Sequence, residues 1–264
     1  MKGLATLLIA ALLTSATALA GPLEMSFSGG PAAAALGSVN ASIEVINAVI
    51  AHLNETFADH PDVSGSADLI DPMVSGLSFR IGERFWPIPW FGLGAAVEYY
   101  TSSTTGGGTY EGGETSTVDV ALAAQSVSLM LGGRATFLDI GLRLAAEGAV
   151  GYHYVIFDRA VRFEVPSEYP DVISNVPPEG DARYTGSTFG FELGLSLAYP
   201  VASWFVLGSS VTYRSTAPRS LTDASEEELD LVGDGTPDAV DLDGITVRLS
   251  FSINIDLSPN GEKE

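Results

Sequence analysis

The chain has no cysteine, which excludes disulfides, thiolate metal sites, cysteine nucleophiles and lipid attachment through an N-terminal cysteine. Lysine is almost missing too: after Lys2 only Lys263 remains. With 12 basic against 33 acidic residues and a formal charge of −21, the sequence has no basic patch for phosphate, so no nucleic-acid partner is expected. Beyond the first twenty residues there is also no long apolar run free of charge. Those twenty read as a secretory signal: Lys2 is followed by an apolar run from Leu4 to Leu13 and by the small-residue site Ala18-Leu19-Ala20. The mature chain is expected to begin near Gly21.

What is present is best met in residues 138–157, "LDIGLRLAAEGAVGYHYVIF", long enough for a spanning helix yet carrying Arg143, Glu147 and His153. The even positions, from Ile140 and Leu142 through Leu144, Ala146, Gly148 and Val150 to Tyr152, Tyr154 and Ile156, hold no charge. Arg143, Glu147 and His153 all fall on odd positions. That is a period of two, a strand, and a helix would scatter these groups and be weakened by the glycines.

The same alternation recurs. Phe91, Leu93, Val97 and Tyr99 oppose Gly92, Gly94 and Glu98; Phe189, Phe191, Leu193, Leu195 and Leu197 oppose Gly190, Glu192, Gly194 and Ser196; Ile245 to Leu257 oppose Thr246 to Asp256. One face is greasy and uncharged, the other small, polar or ionic. A soluble sandwich would turn a charged, lysine-bearing face to water, whereas a barrel in lipid turns the apolar face outward and fills a narrow interior with the rest. Eight strands are expected, near 22–28, 74–86, 90–101, 117–131, 136–157, 184–199, 204–215 and 244–257. A slip of parity between Ala124 and Val127 suggests a bulge. The fold class is therefore all-β, an antiparallel eight-stranded transmembrane β-barrel over 21–257, followed by a polar tail at 258–264.

The links alternate. Those at 29–73, 102–116, 158–183 and 216–243 are long and hold 23 of the 33 acidic residues, while Pro87 to Pro89, Gly132 to Ala135 and Pro200 to Ser203 are short turns. Trp86, Trp90 and Trp204 all flank short turns, where an interfacial girdle would lie. With these strands, turns and tryptophans the chain resembles the small eight-stranded outer-membrane barrels, the group of the OmpA membrane domain, OmpX and OmpW. The likeness is architectural, without a family motif. Such barrels end on an aromatic residue of the last strand, whereas this chain continues past Leu257 with "SPNGEKE". The resemblance implies export to the outer membrane of a diderm bacterium, contact with its lipid, insertion by the outer-membrane assembly machinery, and long loops able to meet an extracellular ligand.

Four features bear on function. Inward parity gathers Arg80, Arg84, Arg143, Arg214 and Arg248 against Glu98, Glu147, Glu192 and Asp256, an ion-pair network with Arg80 beside Glu98 and Arg143 beside Glu192. A structural or surface-interaction barrel with a largely closed lumen follows, and a narrow pore or lateral path for small or apolar solutes is the alternative. In the first long link, Val39, Ile43, Ile46, Val49, Ile50, Leu53 and Phe57 have helical spacing, which predicts an amphipathic helix near 38–58 with Ser38 as N-cap. It would cap the rim or plug the barrel. In the last loop, Asp230, Asp234, Asp238 and Asp241 approach the spacing of a calcium loop, with Val232 at a usual ligand position, so calcium and a solvated acidic loop both stand. Apart from that ion no cofactor is expected. No enzyme is expected: His52 and His60 lie in a loop and His153 points inward, so none meets a serine at the lipid boundary.

Overall fold

A computed structural model of the chain describes residues 22–34, 36–112, 115–164 and 179–256. The expected signal sequence, the polar tail and the middle of the 158–183 link lie outside the described residues. Chain order is β1 (Pro22–Ala33), α1 (Gly37–Ala58), β2 (Ser64–Asp68), β3 (Ser75–Ile88), β4 (Phe91–Glu111), β5 (Ser116–Asp139), β6 (Arg143–Glu164), β7 (Gly180–Ala202), β8 (Phe205–Thr216), β9 (Arg219–Ser220), β10 (Ala239–Val240) and β11 (Gly244–Asp256).

The antiparallel order β4-β3-β1-β11-β8-β7-β6-β5, closed by the β4–β5 pairing, makes an eight-stranded barrel. Closure leaves no free edge in lipid, the condition for strands to cross a bilayer. The short turns fall at 89–90, 140–142 and 203–204, and the strand ends at Pro22 and Asp256 share that side, which faces the periplasm in such barrels. Phe79, Ile81, Leu93, Val150, Leu195 and Leu249 are each more than half exposed, part of an apolar belt far too large for water but suited to lipid. Glu83 also takes an outward position on β3, beside Met25 and Ala95.

The strands are longer than the sequence suggests, and the reason is a change of solvent. On β5 the inward residues Val118, Val120, Leu122 and Ala124 are apolar, then Ser126 and Ser128 are polar. Outward, Thr117, Asp119 and Ala121 give way to Val127, Leu129 and Leu131. The reversal falls on one paired row, Tyr99, Val127, Tyr154 and Ser187, across four strands. Below it lipid lies outside and polar groups fill the lumen; above it water lies outside and an apolar core fills the interior. The parity slip at 124–127 is therefore no bulge, since pairing there is continuous; the irregularities sit at the periplasmic end. Likewise 102–116 is no loop. β4 and β5 stay paired up to Tyr110 and Ser116, eleven residues above the row.

One turn lies elsewhere than the sequence suggests. Gly132 and Gly133 are inside β5, where a Cβ at Gly132 would meet the Gly148 carbonyl oxygen at 2.3 Å. These glycines permit close strand packing. The true turn holds Gly141, whose φ of +87° suits glycine. Purified protein should migrate differently on SDS gels before and after boiling, as closed barrels do; identical mobility would contradict the closed sheet.

Candidate functional site

The lumen is filled in two ionic layers. In the upper one Arg80 Nε lies 3.1 Å from Glu98 Oε2 and its Nη2 2.5 Å from Glu192 Oε2. Arg214 contacts Glu98 and reaches Glu192 at 2.6 Å, and Arg248 lies 2.7 Å from Glu98 and 3.4 Å from Glu192. Arg248 also donates to Ser78 Oγ (3.2 Å) and Thr212 Oγ1 (3.0 Å). Five strands supply these groups, and Glu98 is fully buried. In the lower layer, nearer the periplasm, Arg84 pairs with Glu24 (3.2 Å) and Glu147 (3.8 Å), and Arg134 lies 3.7 and 3.6 Å from the same two. The upper layer is tight and the lower one looser.

Two of these residues, Glu24 and Arg134, escape a reading by parity, because one sits in a short strand and the other in a glycine pair that resembles a turn. The same displacement of the turn moves Arg143. It opens β6 beside the turn, partly exposed, and pairs with Asp139 at 3.0 Å. The expected Arg143 to Glu192 pair does not exist, and Arg143 faces Ala198 in register. Glu147, four residues further up, belongs to the lower layer, not the upper. The side chain of Asp256 lies outside the described residues. Trp90 and Trp204 are exposed at the short-turn end and pack on Phe91 and Phe205. Trp86 departs from the expected girdle: its indole turns inward, Nε1 donates to Glu24 Oε2 at 3.2 Å, and Arg84 lies over its ring.

Above the upper layer, a hydrophobic dome covers the other mouth. The apolar stripe of α1, Val39, Ile43, Ile46, Ile50, Leu53 and Phe57, is buried against inward residues of the raised strands, among them Tyr110, Val120, Leu122, Phe157 and Phe163. The helix thus packs across the rim of the raised strands. Ser38 is not its N-cap. Leu36 holds that position without a side-chain cap, and Ser38 Oγ instead donates to the Ala239 carbonyl at 2.5 Å.

The helix is stapled by a ladder that hydrophobic periodicity does not reveal. Asn40, Asn47 and Asn54 each donate Nδ2 to a carbonyl and accept a backbone N–H on Oδ1, at Met73, Ile70 and Ala67 respectively, over 2.7–3.4 Å. Seven helical residues rise about 10.5 Å and three extended residues about 10 Å, so the two repeats stay in step. The signal is legible as "VN", "IN" and "LN" at intervals of seven. At Ala67 the asparagine also covers the free edge of β2, whose other edge pairs with β4.

The last loop completes the dome. Arg159 donates to the Asp230 carbonyl (3.2 Å) and lies over the Tyr184 ring. Asp230 accepts the N–H groups of Val232, Gly233 and Gly235; Asp234 accepts that of Thr236; Asp238 accepts Ser42 Oγ (2.8 Å) and the N–H of Leu231 (2.9 Å). These carboxylates organise their own turns and tie the loop to α1. Among the described residues, no three such groups converge. The Val232 position, without an oxygen ligand, is where the pattern departs.

Burial raises the carboxyl of Asp238 above its ordinary value, with nearby Asp230 and Asp234 adding to the effect. A raised folded-state value means that folding takes up a proton as pH falls through it. The dome therefore gains stability from neutral toward acid, and the gain is complete below the unfolded value near 3.8. Hydrogen exchange at Leu229, Leu231 and Val240, corrected for intrinsic rates, should show more protection on the acid side. Asp238→Asn should reduce the difference, and the remainder should come from Asp241, which burial and nearby Asp243 also raise.

No family model and no curated protein matches the chain. Solved structures with a related arrangement include a major outer membrane protein from Thermus thermophilus, at 12% identity and TM-score 0.46, covering 90% of this chain and 100% of that one. The outer membrane protein OprG from Pseudomonas aeruginosa matches at 12% identity and TM-score 0.34, covering 89% and 96%. Ail, the attachment invasion locus protein of Yersinia pestis, matches at 11% identity and TM-score 0.40, covering 90% and 100%. The outer-membrane placement follows from the closed sheet and lipid-facing belt themselves.

Proposed function

We propose that this outer-membrane barrel is a closed structural or surface-interaction element rather than a conduit or an enzyme. One observation carries the reading: two ionic layers fill the lumen and a hydrophobic dome covers its outer mouth, so a solute would have to displace both. An eight-stranded interior is just wide enough for such side chains. The raised strands β4 to β7 favour contact at the cell surface. They lift a polar outer face above the belt, and an open depression of about 550 Å³ crosses it at Ser103, Ala123, Asp158 and Arg183.

A lipid-modifying site would need a nucleophile and base at the lipid boundary. The nearest approach to one is Ser128 Oγ with His153 Nδ1 at 2.6 Å, and both residues are buried inside the barrel. Liposome swelling with small sugars tests the proposal. Protein-loaded vesicles should swell no faster than empty ones; size-dependent uptake would replace this reading with the pore.

A further inference from the structure

Gly151 and Gly190 face each other in register on β6 and β7, and Met130 on β5 is the partner of Gly151 on the other side. They share the inward parity of His153, Glu192 and Ser128, so the two missing side chains leave room on the lumen wall. Two groups turn into it. A Cβ at Gly151 would collide with Met130 Sδ and lie 3.0 Å from His153 Nε2, and one at Gly190 would lie 3.1 Å from the same nitrogen. A thioether sulfur and an imidazole nitrogen therefore converge on one small space. Both residues are buried, His153 completely.

His153 Nε2 has no hydrogen-bond partner there. A buried polar atom left so costs free energy unless another group engages it. The other ring nitrogen, Nδ1, lies 2.6 Å from the hydroxyl of Ser128, its cross-strand neighbour. With Nδ1–H donating to that hydroxyl, the ring is held in the tautomer whose Nε2 lone pair points into the shared space. Imidazoles that bind metals are oriented in this way by a partner on the second nitrogen. A cavity of about 70 Å³ adjoins, with Met130 in its wall. One water needs roughly 10–15 Å³, so a small ion has room beside the sulfur.

The donors select the ion. A thioether with a neutral imidazole suits soft ions, Cu(I) above all, whereas calcium, magnesium and zinc sites are built from oxygen, several nitrogens or thiolates. Among the described residues no three His, Asp or Glu side chains converge, and the chain has no cysteine. Glu98 faces Ser128 in register, which sets this space against the upper ionic layer. Each further charge on an ion would have to be desolvated beside the guanidinium groups of that layer, so a monovalent ion is favoured. We infer that Met130 Sδ and His153 Nε2 form a two-ligand site for Cu(I), in which Ser128 positions the imidazole. A closed-shell monovalent ion is stable with two ligands, and no third group is required. The site is independent of the barrel's role at the surface.

The test uses the full chain folded in detergent, in chloride-free buffer with silver nitrate, because Ag(I) shares the chemistry of Cu(I) and is not oxidised by air. After desalting, metal analysis should find one Ag(I) per chain, and the thermal midpoint should rise saturably with the ion. X-ray absorption of the Cu(I)-loaded protein should show one nitrogen and one sulfur neighbour. Met130→Leu, close in volume, should keep the gel shift of a folded barrel and lose the retained ion. Ser128→Ala should weaken binding about 10–100-fold. Should the leucine variant not fold, the sulfur neighbour in the wild type and the Ser128→Ala loss decide. Replacing the exposed His52 and His60 by Ala should leave the ion in place. No retained ion, equal retention by Met130→Leu, or loss in the His52 and His60 variant would mean that Met130 and His153 merely pack together, and would overturn the inference.

Discussion

Replacing Glu98 by Gln should destabilise the barrel by about 3–5 kcal/mol, because Arg80, Arg214 and Arg248 lose one of the two carboxylates they share and keep Glu192. Breaking a buried pair costs more than the pair contributes, since the surviving charge stays desolvated. The double replacement Glu98→Gln with Arg248→Met should therefore be milder than the sum of its parts. Arg143→Met serves as the contrast. Its partner Asp139 is half exposed at a turn, so the loss should stay within about 0.5 kcal/mol. Urea unfolding in lipid vesicles measures the wild type, Glu98→Gln, Arg248→Met, their double and Arg143→Met, and a Glu98→Gln loss no larger than that of Arg143→Met would contradict a buried ionic core.

The second large effect is expected in the dome. Each asparagine of the ladder satisfies one backbone N–H and one carbonyl, and its removal orphans both at a cost of about 1–3 kcal/mol per group left buried. Ala67, Ile70 and Met73 are all nearly inaccessible, so water does not readily replace the lost partners. The triple variant Asn40→Ala, Asn47→Ala, Asn54→Ala should release the segment 59–74 and make it the first site of protease cleavage. The barrel below should keep its shift on unboiled gels, because its pairing does not involve the ladder. Cleavage at 59–74 no faster than in the wild type would mean that apolar packing alone holds α1.

The parts of this fold that can be read from sequence are those where lipid imposes a uniform face. Phe189 to Tyr199 alternate cleanly because every outward residue meets hydrocarbon, and parity then also assigns Glu192 to the lumen. Where the solvent changes along one strand, the rule inverts. Val118 to Ala124 face inward for the same hydrophobic reason that Val127 to Leu131 face outward, and a single-period test sees only a fault between them. Glycine is the other source of error. Gly132 and Gly133 look like a turn, but they relieve crowding against Gly148 and Phe91, and the true turn lies so close to Arg143 that this residue stays below both ionic layers. The ladder is visible as three asparagines seven apart, yet its partners at every third residue of an extended segment have no periodic signature of their own.

Single-channel recording in planar bilayers tests the closed lumen most directly, with the wild type and the triple asparagine variant compared. Neither should show steady openings, since the two ionic layers lie below the dome and remain in place when it loosens. Steady, ohmic conductance steps from the wild-type protein would contradict the account.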